Sequence, residues 1–197
     1  MKTDIVLGGV GGQGILSIAA IIGTAAVNEG LYLKQSEVHG MSQRGGDVMS
    51  NLRISSEEIF SDLIPEGQAD IIIGVEPMEA LRHLPMLKPE GWLVTNSTPL
   101  VNIPNYPDLE KLLDDVRKIK NHVLFDADKI AKEAGNSRAS NVVMLGAATP
   151  FLSISQEAIE KAIGAIFGRK GQDVVDLNIK ALRAGIAEAG KVIDLKS

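Results

Sequence analysis

Five glycines occupy the seven positions from Gly8 to Gly14, directly after the apolar run "IVL". Within them, Gly9-Val-Gly11-Gly12-Gln-Gly14 has the spacing G-x-G-x-x-G. Backbone without side chains lets an anion approach amide N–H groups, and a helix start just beyond adds positive partial charge. The chemistry that suits Gly9, Gly11, Gly12, Gln13 and Gly14 is therefore phosphate binding. A plainer reading fits the same residues: glycine allows a tight turn and close packing of a helix on a sheet. The motif alone does not choose between the two.

A second glycine-bearing stretch, "EVHGMSQRGG", runs from Glu37 to Gly46. A dinucleotide site needs an acid about 20 residues beyond the glycine motif to accept from ribose hydroxyls, and Glu37 stands near that place. Arg44 offers a forked donor for phosphate or carboxylate, Ser42 and Gln43 add neutral donors, and Gly45 and Gly46 permit close backbone approach. Such a loop would cover a ligand crevice, which ordinary nicotinamide enzymes do not require of it. Its alternative is a hairpin with a solvated arginine. His39 has the chemistry of a general base; the residues alone do not decide its role, and no catalytic residue and no metal ligand is assigned from them.

These residues need elements to hold them. "DIVLGG" reads as a strand, and Ile15, Ile18, Ala19, Ile22 and Ala26 recur with helical spacing, so the first glycines join a strand to a helix. "LYLKQS" is a second strand. "DVMSNLRIS" is a third, with Val48, Ser50, Leu52 and Ile54 on one face. The loop between them is too short for a crossover helix, so these two strands are expected to be antiparallel neighbours. Strands at "ADIIIGV", "GWLVTNS" and "HVLFDA" then alternate with helices at "PMEALRHL", Leu109 to Lys120 and "ADKIAKEAG", and helices dominate from Ser137 onward, with breaks near Pro150 and "GRKGQ". The expected fold class is α/β: a three-layer α/β/α single domain, 1–197, with a mixed, mostly parallel sheet and a Rossmann-like glycine loop.

Composition narrows the function classes. With 197 residues, 45% hydrophobic and 23% charged, the chain has globular composition. Its net charge is -5 and its 20 Lys and Arg are dispersed, which argues against a surface that tracks nucleic acid. The absence of cysteine excludes disulfides, thiolate-ligated zinc, cysteine nucleophiles and all-cysteine iron–sulfur ligation within this chain. "ILSIAAIIGTAAV" is too short to span a bilayer and the residues before it do not resemble a secretory leader, so a cytoplasmic protein without membrane contact is expected.

With "GGVGGQGI", "SEVHGMSQRGGDV", "GVEPMEALR" and "SNVVMLGA" in this order, nearly the whole chain resembles the gamma module of 2-oxoacid:ferredoxin oxidoreductases, most of all the small-subunit type serving indolepyruvate. The resemblance implies a subunit of a complex that decarboxylates an aryl 2-oxoacid on thiamine diphosphate, passes electrons through iron–sulfur clusters to ferredoxin, and transfers the acyl group to coenzyme A. Thiamine diphosphate, magnesium and the clusters are then expected on a large partner subunit, because the family's G-D-G thiamine motif does not occur here. By matching position, Gly11, Gly12, Gln13 and Gly14 would cradle the CoA pyrophosphate, with Ser42, Arg44, Gly45 and Gly46 on a facing loop. Two alternatives stand beside this: a stand-alone nucleotide-binding dehydrogenase, and an assembly module without a catalytic role.

Other polar residues have structural readings. Glu76, before Pro77, reads as a helix cap rather than a crevice residue. Asn96, Ser97 and Thr98 either line the sheet edge or form a turn. "SNVVMLGAA" reads as core or subunit interface, capped by Ser140 or Asn141.

Overall fold

In a computed structural model, residues 1–39 and 45–194 are described, His39 by its backbone alone. The chain order is β1 (Lys2–Val10), α1 (Ile15–Asn28), β2 (Tyr32–His39), β3 (Asp47–Ser55), β4 (Ala69–Gly74), α2 (Pro77–Arg82), β5 (Leu87–Asn96), α3 (Leu109–Arg117), β6 (His122–Phe125), α4 (Ala127–Glu133), α5 (Ser140–Ala148), α6 (Gln156–Phe167) and α7 (Gln172–Asp194). Short 3-10 turns occur at Leu84–Met86, Thr149–Phe151 and Gly168–Lys170.

The strands form one sheet in the order β2-β3-β1-β4-β5-β6. β3 runs antiparallel to both β1 and β2, whereas β1, β4, β5 and β6 pair in parallel. The mixed, mostly parallel α/β sheet expected from the sequence is therefore present, with β3 its single reversed strand among the described residues. One expectation is corrected. The loop was expected to begin at Glu37, but the β2 ladder continues through Glu37↔Ser50 and Val38↔Met49 to His39↔Val48. Cross-strand pairing carries the polar residues into the strand despite their turn-like composition.

Both faces of the sheet are covered, as period-two alternation in the central strands requires. Ile5, Leu7, Ile71, Ile73 and Val94 pack with α1, α4, α5, α6 and α7 in the larger cluster. Val6, Ile72 and Leu93 face the other way and pack with Ala80 of α2 and Val116 of α3. Omitting β3 and renumbering, the order becomes 2-1-3-4-5, a doubly wound arrangement whose switch point lies between β1 and β4. Ligands of such sheets bind outside the carboxyl ends of the strands flanking that point, which is where Gly11 to Gly14 lie. No helix among the described residues is long and apolar enough to cross a membrane.

Candidate functional site

The turn after β1 is built by glycine where the backbone demands it. Gly12 and Gly14 have φ of 106° and 80°, in the left-handed region that side chains disfavour. A Cβ on Gly14 would also lie 2.5 Å from Nδ2 of Asn141. That amide donates to the Gly14 carbonyl at 3.2 Å, fixing the turn to α5. Gln13 staples the turn locally: its N–H donates to the Val10 carbonyl at 3.1 Å, and its Oε1 accepts from the Val10 N–H at 2.8 Å. Gly9 is a packing residue, since a Cβ there would lie 2.3 Å from Cγ2 of Val75.

The two glycine clusters meet. The Gly11 N–H donates to the Gly46 carbonyl at 2.9 Å, the Gly45 N–H donates to the Gly11 carbonyl at 3.4 Å, and Asn102 Nδ2 donates to the Gly45 carbonyl at 2.6 Å. Gly12 is different, because a Cβ there would meet nothing within 4 Å. It faces open space.

That space consists of two cavities that share Gly12 and Gly14. One of 260 Å³ has apolar walls from Ile15 and Val48 and a single carboxylate, Glu37. The other, of 510 Å³, is lined by Arg138, Lys170, Asn141, Asn178 and Phe167. Helix α1 starts between them, with Gly14 as its N-cap, no side-chain cap hydrogen bond and no acid in its first turn. Among the described residues its first turn therefore has no acid to offset its positive end, and the larger cavity at that end carries two cations. Sequence reasoning missed Arg138 and Lys170. They stand more than a hundred residues from the glycine loop, in turns whose composition reads only as breaks between helices. Ser42 and Arg44 lie outside the described residues, as does the side chain of His39.

A second polar group lies on the other face of the sheet, under α2. Glu76 is fully buried and caps α2, its Oε2 accepting from the Glu79 N–H at 2.9 Å. Its Oε1 accepts a short hydrogen bond from the Tyr106 hydroxyl. The cap reading of Glu76 therefore holds. Burial pushes the Tyr106 hydroxyl well above its ordinary range, and the Glu76 carboxylate beside it adds to that. Glu79 is raised to about 7, chiefly by burial and further by Asp47, against the opposing pull of Arg82. Burial lowers His83, although Asp47 opposes the shift. The Arg82 Nε donates to Glu79 Oε2 at 2.7 Å, and His83 Nε2 stands 3.4 Å from Asp47 Oδ1.

Asn96 serves the scaffold. Its Oδ1 accepts from the N–H groups of Thr98 and Ala127 at 3.2 and 3.0 Å, and its Nδ2 donates to Asp128 at 2.8 Å. The expected cap at Ser140 or Asn141 is corrected: the N-cap of α5 is Ala139, without a side-chain hydrogen bond, because Asn141 is committed to Gly14. The rest of the segment is core, with Val142 to Ala148 buried.

The family model described as "Pyruvate ferredoxin/flavodoxin oxidoreductase" matches residues 4–188. The chain belongs to this family. It is 39% identical to "Indolepyruvate oxidoreductase subunit IorB" of Pyrococcus horikoshii, over 98% of each chain, and 38% identical to the protein of the same name from Thermococcus kodakarensis, also over 98% of each. Among solved structures, it is similar to the gamma subunit of a keto/oxoacid ferredoxin oxidoreductase from Geobacter sulfurreducens, with a TM-score of 0.68, 28% identity, and coverage of 96% of this chain and 99% of that one. A 2-oxoglutarate:ferredoxin oxidoreductase from Magnetococcus marinus, solved with 2-oxoglutarate, coenzyme A and succinyl-CoA bound, shares the fold at a TM-score of 0.76 and 24% identity. That match covers 96% of this chain and 31% of that one. The chain is thus a small subunit of the 2-oxoacid:ferredoxin oxidoreductase class.

Proposed function

We propose that this subunit serves a CoA-acylating enzyme that oxidises an aryl 2-oxoacid such as indolepyruvate, and that its glycine-loop cavities handle CoA. The reading rests on one observation: the uncapped start of α1 opens on a cavity lined by Arg138 and Lys170. Phosphates suit that side. The apolar cavity with Glu37 suits a neutral part of the ligand, with the carboxylate accepting from a hydroxyl. The 510 Å³ cavity falls within the size that binds small molecules, typically about 300–1,000 Å³, and the 260 Å³ cavity, just below it, adjoins it at Gly12 and Gly14. Ser42 and Arg44 join this site on sequence grounds. A large partner subunit carries thiamine diphosphate, magnesium and the iron–sulfur clusters, and ferredoxin takes electrons from the complex. The whole chain, 1–197, acts as one gamma-type module.

The test is steady-state kinetics of the assembled complex with CoA varied. Arg138→Ala and Lys170→Ala each remove a charge-assisted hydrogen bond, typically about 1.5–3 kcal/mol, and should raise KM for CoA roughly ten- to a hundredfold with kcat little changed. Parental KM in both variants would refute the site. Thermal stabilisation of the chain by NAD or NADP but not by CoA would instead support the dehydrogenase alternative.

A further inference from the structure

We propose that Asp47, Glu79 and His83 bind a divalent transition-metal cation, with zinc the best fit, on the face of the sheet opposite the two cavities. Asp47 opens β3 and is the register partner of Val10 at the end of β1. Glu79 lies on α2 and His83 caps its end, four residues later and therefore on the same side of the helix. One donor atom from each of the three lies within 4.8 Å of the others.

The arrangement is unfinished as protein alone. His83 Nε2 and Asp47 Oδ1 face each other at 3.4 Å, too far for a good hydrogen bond. Both atoms are buried, and neither has a hydrogen-bond partner among the described residues. Buried polar atoms are seldom left this way, because each loses its water without replacement. The 3.4 Å between these two atoms matches a shared ion, since ligands about 2.0–2.1 Å from a tetrahedral centre lie about 3.3–3.4 Å apart, and the Glu79 oxygen, within 4.8 Å of both, would draw in on binding.

His83 is 7% exposed, and bare backbone admits its ring, since a Cβ on Gly8 would come within 2.6 Å of its Cδ2. The imidazole is therefore held before any ion arrives. Glu79 is likewise buried, and Arg82 holds its Oε2 at 2.7 Å while standing 3.5 Å from Oε1, which leaves Oε1 a lone pair. A hydrogen bond from behind is the usual way a ligating carboxylate is oriented. Glu76 stands apart from the three donors, its oxygens turned to the Glu79 N–H and the Tyr106 hydroxyl.

Charge points the same way. Among the described residues, Asp47, Glu76 and Glu79 set three carboxyl groups, two of them deeply buried, against the one guanidinium of Arg82. A dication supplies what this pocket lacks. One imidazole with two carboxylates suits zinc, and three protein ligands leave a tetrahedral position for water. The ion would clip α2 to the start of β3.

The test uses the full-length chain, stripped with chelator and titrated with zinc chloride by calorimetry, with cobalt(II) absorption as a second readout. One zinc per chain is expected, together with the visible bands of four-coordinate cobalt. Asp47→Asn and His83→Gln should each weaken zinc binding by about tenfold or more. Circular dichroism checks that the variants fold, and if His83→Gln does not, the half-exposed Asp47 carries the test. Absence of saturable zinc uptake by the parent, or parental affinity in a folded variant, overturns the proposal.

Discussion

Arg53 shows how much a single side chain can hold in this protein. It stands on β3 as the register partner of Asp4 on β1, and its guanidinium grips that carboxylate through Nε at 2.8 Å and Nη2 at 3.1 Å. Its Nη1 donates to the carbonyls of Ser61 and Leu63 at 3.1 and 2.8 Å, tying down the segment between β3 and β4. Asp4 is 1% exposed, so Arg53→Ala leaves a buried carboxylate with Lys2 as its one remaining ion-pair partner among the described residues. A loss of about 3 kcal/mol is expected, read as a lowered denaturant midpoint with an unchanged m-value. Legibility at this scale followed locality. Glu76 was readable as a cap because an acid before proline is a short-range signal. The bond from Asn141 to Gly14 spans 127 residues, and nothing near Asn141 announces it. The same holds for Arg138 and Lys170, which reach the glycine loop only through the packing of the later helices.

The elements were more legible than the contacts between them. The ten residues "EVHGMSQRGG" cannot carry a crossover helix, and that length alone implied the antiparallel β2–β3 pair; only the continuation of β2 to His39 needed the ladder itself. The α5–α7 contact gave no such sign. Gly146 and Gly185 face each other across it, and a Cβ on Gly146 would lie 2.0 Å from the Leu182 carbonyl oxygen, while one on Gly185 would lie 2.0 Å from that of Val143. Backbone cannot yield as a side-chain tip does, so Gly146→Ala must part the helices. It should cost about 3 kcal/mol, or roughly 6–12 °C of Tm for a chain of this size. Helices α6 and α7 are also joined by charge, with Arg183 Nε and Nη2 each 2.8 Å from the Glu160 carboxylate. Hydrogen bonding from Arg183 chiefly, and from Gln156, holds the Glu160 carboxyl below its usual range. A depressed folded-state pKa contributes stability above the unfolded value and loses it as pH falls through the folded one. Melting curves should therefore show Glu160→Gln slightly less stable than the parent at pH 7. The gap should close at strongly acid pH and shrink in high salt.

At the scale of the whole molecule, the same fold is used in two ways. The chain covers 98% of the length of the Pyrococcus subunit, yet only 31% of the Magnetococcus chain and 38% of "Ketoisovalerate oxidoreductase subunit VorA" from Methanothermobacter marburgensis. A unit that stands alone in some relatives and forms part of a longer chain in others supplies part of an activity. The sequence reaches the same point by chemistry. Without cysteine it cannot hold an all-cysteine iron–sulfur cluster of its own. The purified chain, given thiamine diphosphate, magnesium, CoA and an aryl 2-oxoacid, should therefore reduce neither ferredoxin nor methyl viologen and should bind no iron–sulfur cluster. With the proposed large partner subunit added, viologen reduction should appear, and the dependence on CoA should then respond to Arg138→Ala. Reduction by the chain alone would contradict the subunit assignment. Full CoA-dependent turnover by the partner alone would instead remove the CoA role while leaving the fold and the family intact.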